Sequence, residues 1–268
     1  MKLWIAPRAG IWCRSLSGWD VFTAAVAGGT EPEARLAEPV PDLLPAREGR
    51  RAPLHVRLAL EAAAQACREN SVPLNTVMTV FASAMGDIQI TDYMCRTLAT
   101  ESPMLSPTRF HNSVHNAASG YWAIGAENRL ASTAIAAGEQ SFGAGFLEAA
   151  ILASTATTPV LLVAYDVPAP GPLMAVSRNR QPFACGVLVS ASPATALWRE
   201  LTVAITSTID HPATSSSGWL QELARENSSA LGIALLAGLA CPADTAFELP
   251  VGGKSSVQAT LGAAATSA

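Results

Sequence analysis

Charge is what this sequence has least of. Only 14% of its 268 residues are Asp, Glu, Lys or Arg, against about 25% in an ordinary soluble domain. Lysine stands only at Lys2 and Lys254, and the net charge is −4. That balance excludes a polybasic membrane patch. No Lys/Arg run is long enough for a nucleic-acid surface, since Arg47 to Arg51 is a short mixed loop. Paired cysteines are missing as well. Cys13, Cys67, Cys95, Cys185 and Cys241 form an odd, widely scattered set with no C-x-x-C. They read as buried cytosolic thiols, not as a disulfide framework or a zinc site. Residues 1–10 carry no apolar stretch of signal-peptide length. The most apolar late run, 230–240, falls well short of the ~20 residues that span a bilayer. The expected location is the cytoplasm, and no cofactor or metal is expected.

Hydrophobic residues make up half of the chain, enough to bury the core of one domain. So little charge beside so much apolar material points to a large buried interface. Residues 3–5 and 10–13 look like short strand pieces, and a helix over 18–27 stops at Gly28-Gly29. Residues 30–53, rich in Pro, Glu and Arg, read as a surface loop. Residues 55–69 form a strong helix, with Leu58, Leu60, Ala63, Ala64 and Cys67 on its apolar face. Residues 76–82 have the β-branched, apolar character of a buried strand. Further helices are expected over 87–99, from Asn112 onward, over 141–152 and over 219–238. Further strands are expected over 132–137, 159–165, 184–192 and 201–207. This alternation predicts an α/β fold with a mainly parallel sheet covered on both faces. Residues 252–268, rich in Ser, Thr, Ala and Gly, read as disordered. The expected organisation is one domain over 1–240 and a flexible tail over 241–268.

The most informative stretch is residues 105–150. It holds Ser106-Pro107, then Asn116-Ala117-Ala118-Ser119-Gly120, then Gly138-Glu139-Gln140-Ser141-Phe142-Gly143. In order and spacing it resembles the nucleophile region of the β-ketoacyl synthases. These are condensing enzymes of the thiolase fold, in which a Ser-Pro and an Asn-x-x-(Ala/Ser)-Gly lead through a strand to a Thr-Ala-Cys-x-x-Gly elbow. The helix over 55–69, the segment 78–86, the strand over 161–166 and the segment 179–192 extend the likeness outward. The resemblance implies a thiolase-like layered α/β fold, the N-terminal half of a condensing enzyme with a truncated C-terminal half. Anchored on Gly143, Gln140 takes the place of the family's cysteine. Counted from Gly120, Glu139 does.

Two departures set the functional expectation. A condensing enzyme holds its acyl chain as a thioester on a thiolate at a helix N-terminus, and an amide cannot do that. The family's two catalytic histidines lie in its second half, in His-Gly-Thr and Asn-x-His contexts. The last histidine here, His211, matches neither. The resemblance therefore implies a non-catalytic partner of an active ketosynthase. Its glutamine elbow and the string Ser106 to Asn116 look like the short chain-length-factor-like subunits of bacterial aryl polyene clusters. The implied partner is a full-length ketosynthase, with an acyl carrier protein reached through that complex. The implied interface residues are Asn112, His115, Asn116, Trp122, Ser132, Ala134, Ala136 and Phe142. The alternative is a malonyl-acyl-carrier-protein decarboxylase in which the Gln140 amide stabilises an enolate.

Blander readings stand beside these. Gln140 also suits a tight strand-to-helix turn. Ser141 is a candidate hydrolase nucleophile, but it lacks the G-x-S-x-G context. His111 and His115, four apart on one helix face, have the spacing of metal ligands but no third ligand nearby. They read more simply as a helix cap or interface pair. Gly253-Lys254-Ser255 is not a phosphate loop, because Glu248 stands where the first glycine is needed. Trp122 and Phe142 read as core or interface aromatics.

Overall fold

The computed structural model describes residues 1–33, 35–100, 105–207 and 218–264. In chain order its elements are β1 (Lys2–Ile5), β2 (Gly10–Cys13), α1 (Trp19–Gly28), α2 (Ala46–Gly49), α3 (Leu54–Glu69), β3 (Met78–Ala82) and α4 (Ile88–Ala99). Then follow α5 (Pro107–Asn112), α6 (Ala117–Gly125), β4 (Ser132–Ile135), α7 (Ser141–Thr155), β5 (Val160–Asp166), β6 (Phe183–Ser190) and β7 (Arg199–Thr206). Last come α8 (Gly218–Glu226), α9 (Ile233–Ala240), β8 (Thr245–Gly252) and β9 (Ser255–Leu261). The strands form one nine-stranded sheet in the order β4-β3-β5-β6-β1-β7-β9-β8, with β2 pairing on β6. α3 and α6 share one core with one face of the sheet, and α7 and α9 share another core with the opposite face.

The sheet is mixed, which corrects the expectation of a mainly parallel one. β4, β3 and β5 run parallel, and α7 lies in the crossover from β4 to β5. From β5 onward every pair is antiparallel. β1 lies between β6 and β7 and runs antiparallel to both, and β9 does the same between β7 and β8, so each hydrogen-bonded pair there is antiparallel.

The helix expected from Asn112 onward begins at Ala117 as α6, and a separate short helix, α5, ends at Asn112. Ser106 accepts a bond from Arg109 N, and Pro107 occupies the first turn of α5. The predicted helix over 219–238 breaks after Glu226. There Asn227 turns its side chain on the backbone, donating to Asp166 O and Gln181 O and accepting from Ser229 N.

The predicted tail is a structured hairpin as far as Leu261. β9 pairs with β7 over six residues and β8 closes the sheet. Arg199 pins its start: the buried guanidinium donates to the carbonyls of Gly238, Leu239, Cys241, Ala243 and Gly262. Residues 265–268 and His211 lie outside the described residues.

Candidate functional site: the elbow and the open edge of the sheet

The segment 132–143 forms a strand, a tight turn and a helix. β4 leads through Gly138, which has a φ of 56°, into α7. Glycine suits that left-handed position because it has no Cβ to clash. Ser141 clamps the turn, its hydroxyl accepting from Ala137 N at 2.9 Å and donating to Gly138 O at 2.7 Å. It is completely buried. A hydroxyl committed in this way is structural, which overturns the hydrolase reading. Gln140 is the N-cap residue of α7 and uses no side-chain cap. It is half-buried, with its amide oxygen beside Gly252 at the end of β8. Glu139 is exposed and ion-paired with Arg178 at 3.3 Å. At Gly143 a Cβ would stand 2.0 Å from Pro250 O, so only glycine lets β8 lie against the first turn of α7.

β4 is an edge strand of the sheet. Thr79 N donates to Ala131 O, and Ser83 N donates to Ile135 O. In a parallel ladder each residue sends both N–H and C=O toward one neighbour, alternating along the strand. Ala131, Thr133 and Ile135 therefore face β3, and the backbone groups of Ser132 and Ala134 face the open side. β4 is uncharged and holds no proline. The other edge, β8, is protected by Pro250, by a bulge between Pro250 and Gly252, and by Glu248 bonded to Ser256. Exposed apolar side chains lie on the segments before β4: Phe110 on α5 at 61%, Val114 between α5 and α6, Ile124 on α6 at 67%, and Leu130 in the loop that leads into β4.

The residues expected at an interface separate into two groups. Ser132 and Ala136 are exposed, Ala134 is half-buried and Asn116 is exposed. His115 is half-buried, with Nε2 3.1 Å from Ser83 O. Trp122 and Phe142 are buried in the chain's own cores, so neither offers surface to a partner. Each closes the inner side of its helix, which agrees with the core reading of these two aromatics. Asn112 is buried too and accepts a bond from Tyr121 Oη at 3.2 Å. His111 lines a cleft against α2 while His115 faces the Ser83 loop, so the two do not converge on one point.

The cysteines do not all fit the expectation of buried thiols. Cys13, Cys67 and Cys185 are buried, whereas Cys95 and Cys241 are exposed. Burial pushes the Cys67 and Cys185 thiols up to about 12, so neither supplies a thiolate.

Sequence reasoning passed over a buried polar cluster behind the elbow. Asp166 accepts from Ser83 Oγ, Ser229 Oγ and Ala84 N. Burial raises its carboxyl to about 6, against those hydrogen bonds. Beside it His55 Nδ1 stands 3.2 Å from Asp87 Oδ2, both side chains buried, and the His55 ring stacks on Tyr165. One carboxylate at the end of an otherwise apolar strand was the available signal for Asp166.

No curated protein matches the chain. Solved structures do. A chain of the ketosynthase ApeO in complex with its chain length factor ApeC, from Xenorhabdus doucetiae, superposes with a TM-score of 0.73 at 23% identity, covering 97% of this chain and 99% of that one. A chain of the ishigamide ketosynthase/chain length factor gives 0.68 at 15% identity, covering 98% and 99%. A beta-ketoacyl synthase from Burkholderia phymatum gives 0.59 at 13% identity, covering 88% and 70%. The fold is thus the thiolase-like fold of ketosynthases. The family model for the beta-ketoacyl synthase N-terminal domain matches residues 25–234, so this chain belongs to the beta-ketoacyl synthase N-terminal-domain family.

Proposed function

We propose that this chain is a non-catalytic, chain-length-factor-like subunit. It pairs with an active ketosynthase in fatty-acid or polyketide-type biosynthesis of the aryl polyene kind, and it shapes that enzyme's acyl tunnel. The observation that carries this reading is the elbow itself. Gln140 stands at the head of α7, directly behind the open strand β4. A carboxamide forms no thioester, so the elbow holds no growing chain. The edge strand in front of it has outward backbone groups that a second strand can satisfy. Support comes from the ketosynthase–chain length factor complexes whose chains this one matches over nearly its whole length.

In such a pair the ketosynthase supplies the chemistry, and this chain limits product length sterically. Side chains that wall off the tunnel stop further ketide units from entering. The acyl carrier protein meets this chain only through the complex, in the cytoplasm. A stable pairing of this type buries more than ~2,000 Å².

Co-purification with a candidate ketosynthase tests the proposal. Ala134→Asp is expected to abolish the complex, because it buries an unpaired carboxylate in the junction. Gln140→Ala is expected to leave the complex intact and condensation nearly unchanged. Association of Ala134→Asp at wild-type strength, or a monodisperse monomer in the presence of the ketosynthase, overturns the pairing model.

A further inference from the structure

A cleft of about 570 Å³ separates α2 from the α5–α6 pair. Its walls are apolar, from Pro107, Val114, Ala117 and Ile124. Its floor is polar and nine-tenths buried, with Asn112 4% exposed and Tyr121 9%. The Tyr121 hydroxyl occupies Asn112 Oδ1 at 3.2 Å. Asn112 Nδ2 donates to no described residue, and the side chain lines the cleft. Arg51 and Glu48 stand at the mouth, close enough for both charges to act on the Tyr121 hydroxyl. Neither forms an ion pair among the described residues. Neither the elbow nor β4 contributes to this cleft.

The geometry points to this cleft as a binding site for an amphipathic monocarboxylate, its headgroup held by Arg51 and Asn112 Nδ2 and its apolar body laid along Ala117, Gly120 and Ile124. A cleft of this volume is within the range of small-ligand sites, which are mostly apolar with a few placed polar groups. A carboxylate satisfies both donors and suits the guanidinium fork. Glu48 opposes a second negative charge, which disfavours phosphate dianions.

The test titrates the purified chain calorimetrically with sodium octanoate, with octan-1-ol as the neutral control and with inorganic phosphate. Octanoate is expected to bind saturably and phosphate not at all. Gly120 lines the cleft, and a Cβ there meets nothing within 4 Å. Gly120→Phe is therefore expected to fill the space without strain, keep the melting temperature and abolish octanoate binding. Arg51→Ala is expected to weaken octanoate about tenfold, the value of a charge-assisted hydrogen bond, and to leave octanol unaffected. Absence of saturable octanoate binding overturns the site. So does Gly120→Phe binding like wild type, or Arg51→Ala affecting acid and alcohol alike. Since pairing is measured without octanoate, failure here leaves the heterodimer reading standing.

Discussion

Arg199 is a buried charge held by main-chain carbonyls. It is buried with no carboxylate partner among the described residues, and burial lowers its affinity for a proton. What holds it is a fan of five carbonyls, those of Gly238, Leu239 and Cys241 at the end of α9, with Ala243 and Gly262 beyond. Helix C-termini favour cations because their last carbonyls lack intrahelical donors. Arg199→Met would strand several buried acceptors at once, and each costs about 1–3 kcal/mol when left unmade. The expected outcome is a loss of at least about 3 kcal/mol in urea unfolding. Arg199→Lys should recover little, since a point-charge ammonium cannot span the fan. A loss below about 1 kcal/mol in Arg199→Met, the size of one ordinary hydrogen bond, would show that the fan does not hold the hairpin.

Asp166 works in the opposite sense. Its carboxyl rises from 3.8 to about 6, chiefly through burial, with the bonds from Ser229, Ser83 and Ala84 pulling the other way. A carboxyl whose folded pKa lies above its unfolded one stabilises the protein below the unfolded value. That stability is lost as pH rises through the folded value. Asp166 should therefore cost stability progressively between about pH 4 and pH 6, by roughly 2–3 kcal/mol in all. Asp166→Asn keeps the shape and removes the titration. Its unfolding free energy should rise relative to that of wild type, meaning a relative gain in stability, as pH goes from about 4 to about 7. A difference that stays flat across that range would contradict the assignment.

At the scale of elements, the features legible in the sequence were those coded locally. The helix over 55–69 shows its face in Leu58, Leu60 and Cys67, and the strand over 159–165 is a continuous apolar run. The elbow was legible because Gly138 and Gly143 punctuate a strand and a small-residue helix. The hairpin of β8 and β9 was not. Its small and polar residues resemble a tail, and its order comes from β7, Arg199 and the face of α7. These are non-local partners that a local composition reading does not weigh. The mixed sheet was missed for a related reason. Strand direction depends on which strands become neighbours, and β1 and β9 insert antiparallel between β6 and β7 and between β7 and β8, pairings that no local pattern carries. Trp122 and Phe142 read as core or interface aromatics, and the structure gives the core: an apolar residue on a helix does not say by itself whether the chain or a partner covers it.

At the scale of the whole molecule, the two edges of the sheet are treated differently. β8 has a proline, a bulge and an acid–hydroxyl bond against unwanted pairing, and β4 has none of these. An unprotected edge is a liability for an isolated chain and an asset for one built to pair. The ladder geometry makes this testable without adding a charge. The N–H of Ala134 faces away from β3, so Ala134→Pro removes an outward donor and leaves every β4–β3 hydrogen bond in place. Proline is tolerated on edge strands in that orientation. Ala134→Pro alone should therefore melt within a few degrees of wild type, since a change confined to an exposed edge is usually worth within about 0.5 kcal/mol. Mixed with the ketosynthase it should fail to associate. Wild type should gain melting temperature on mixing, because a partner that binds only the folded state stabilises it by mass action. Thr133→Pro provides the contrast: its N–H faces β3, so it should destabilise the chain on its own. If Ala134→Pro pairs as well as wild type, the junction does not run through β4 and the pairing model through this edge falls.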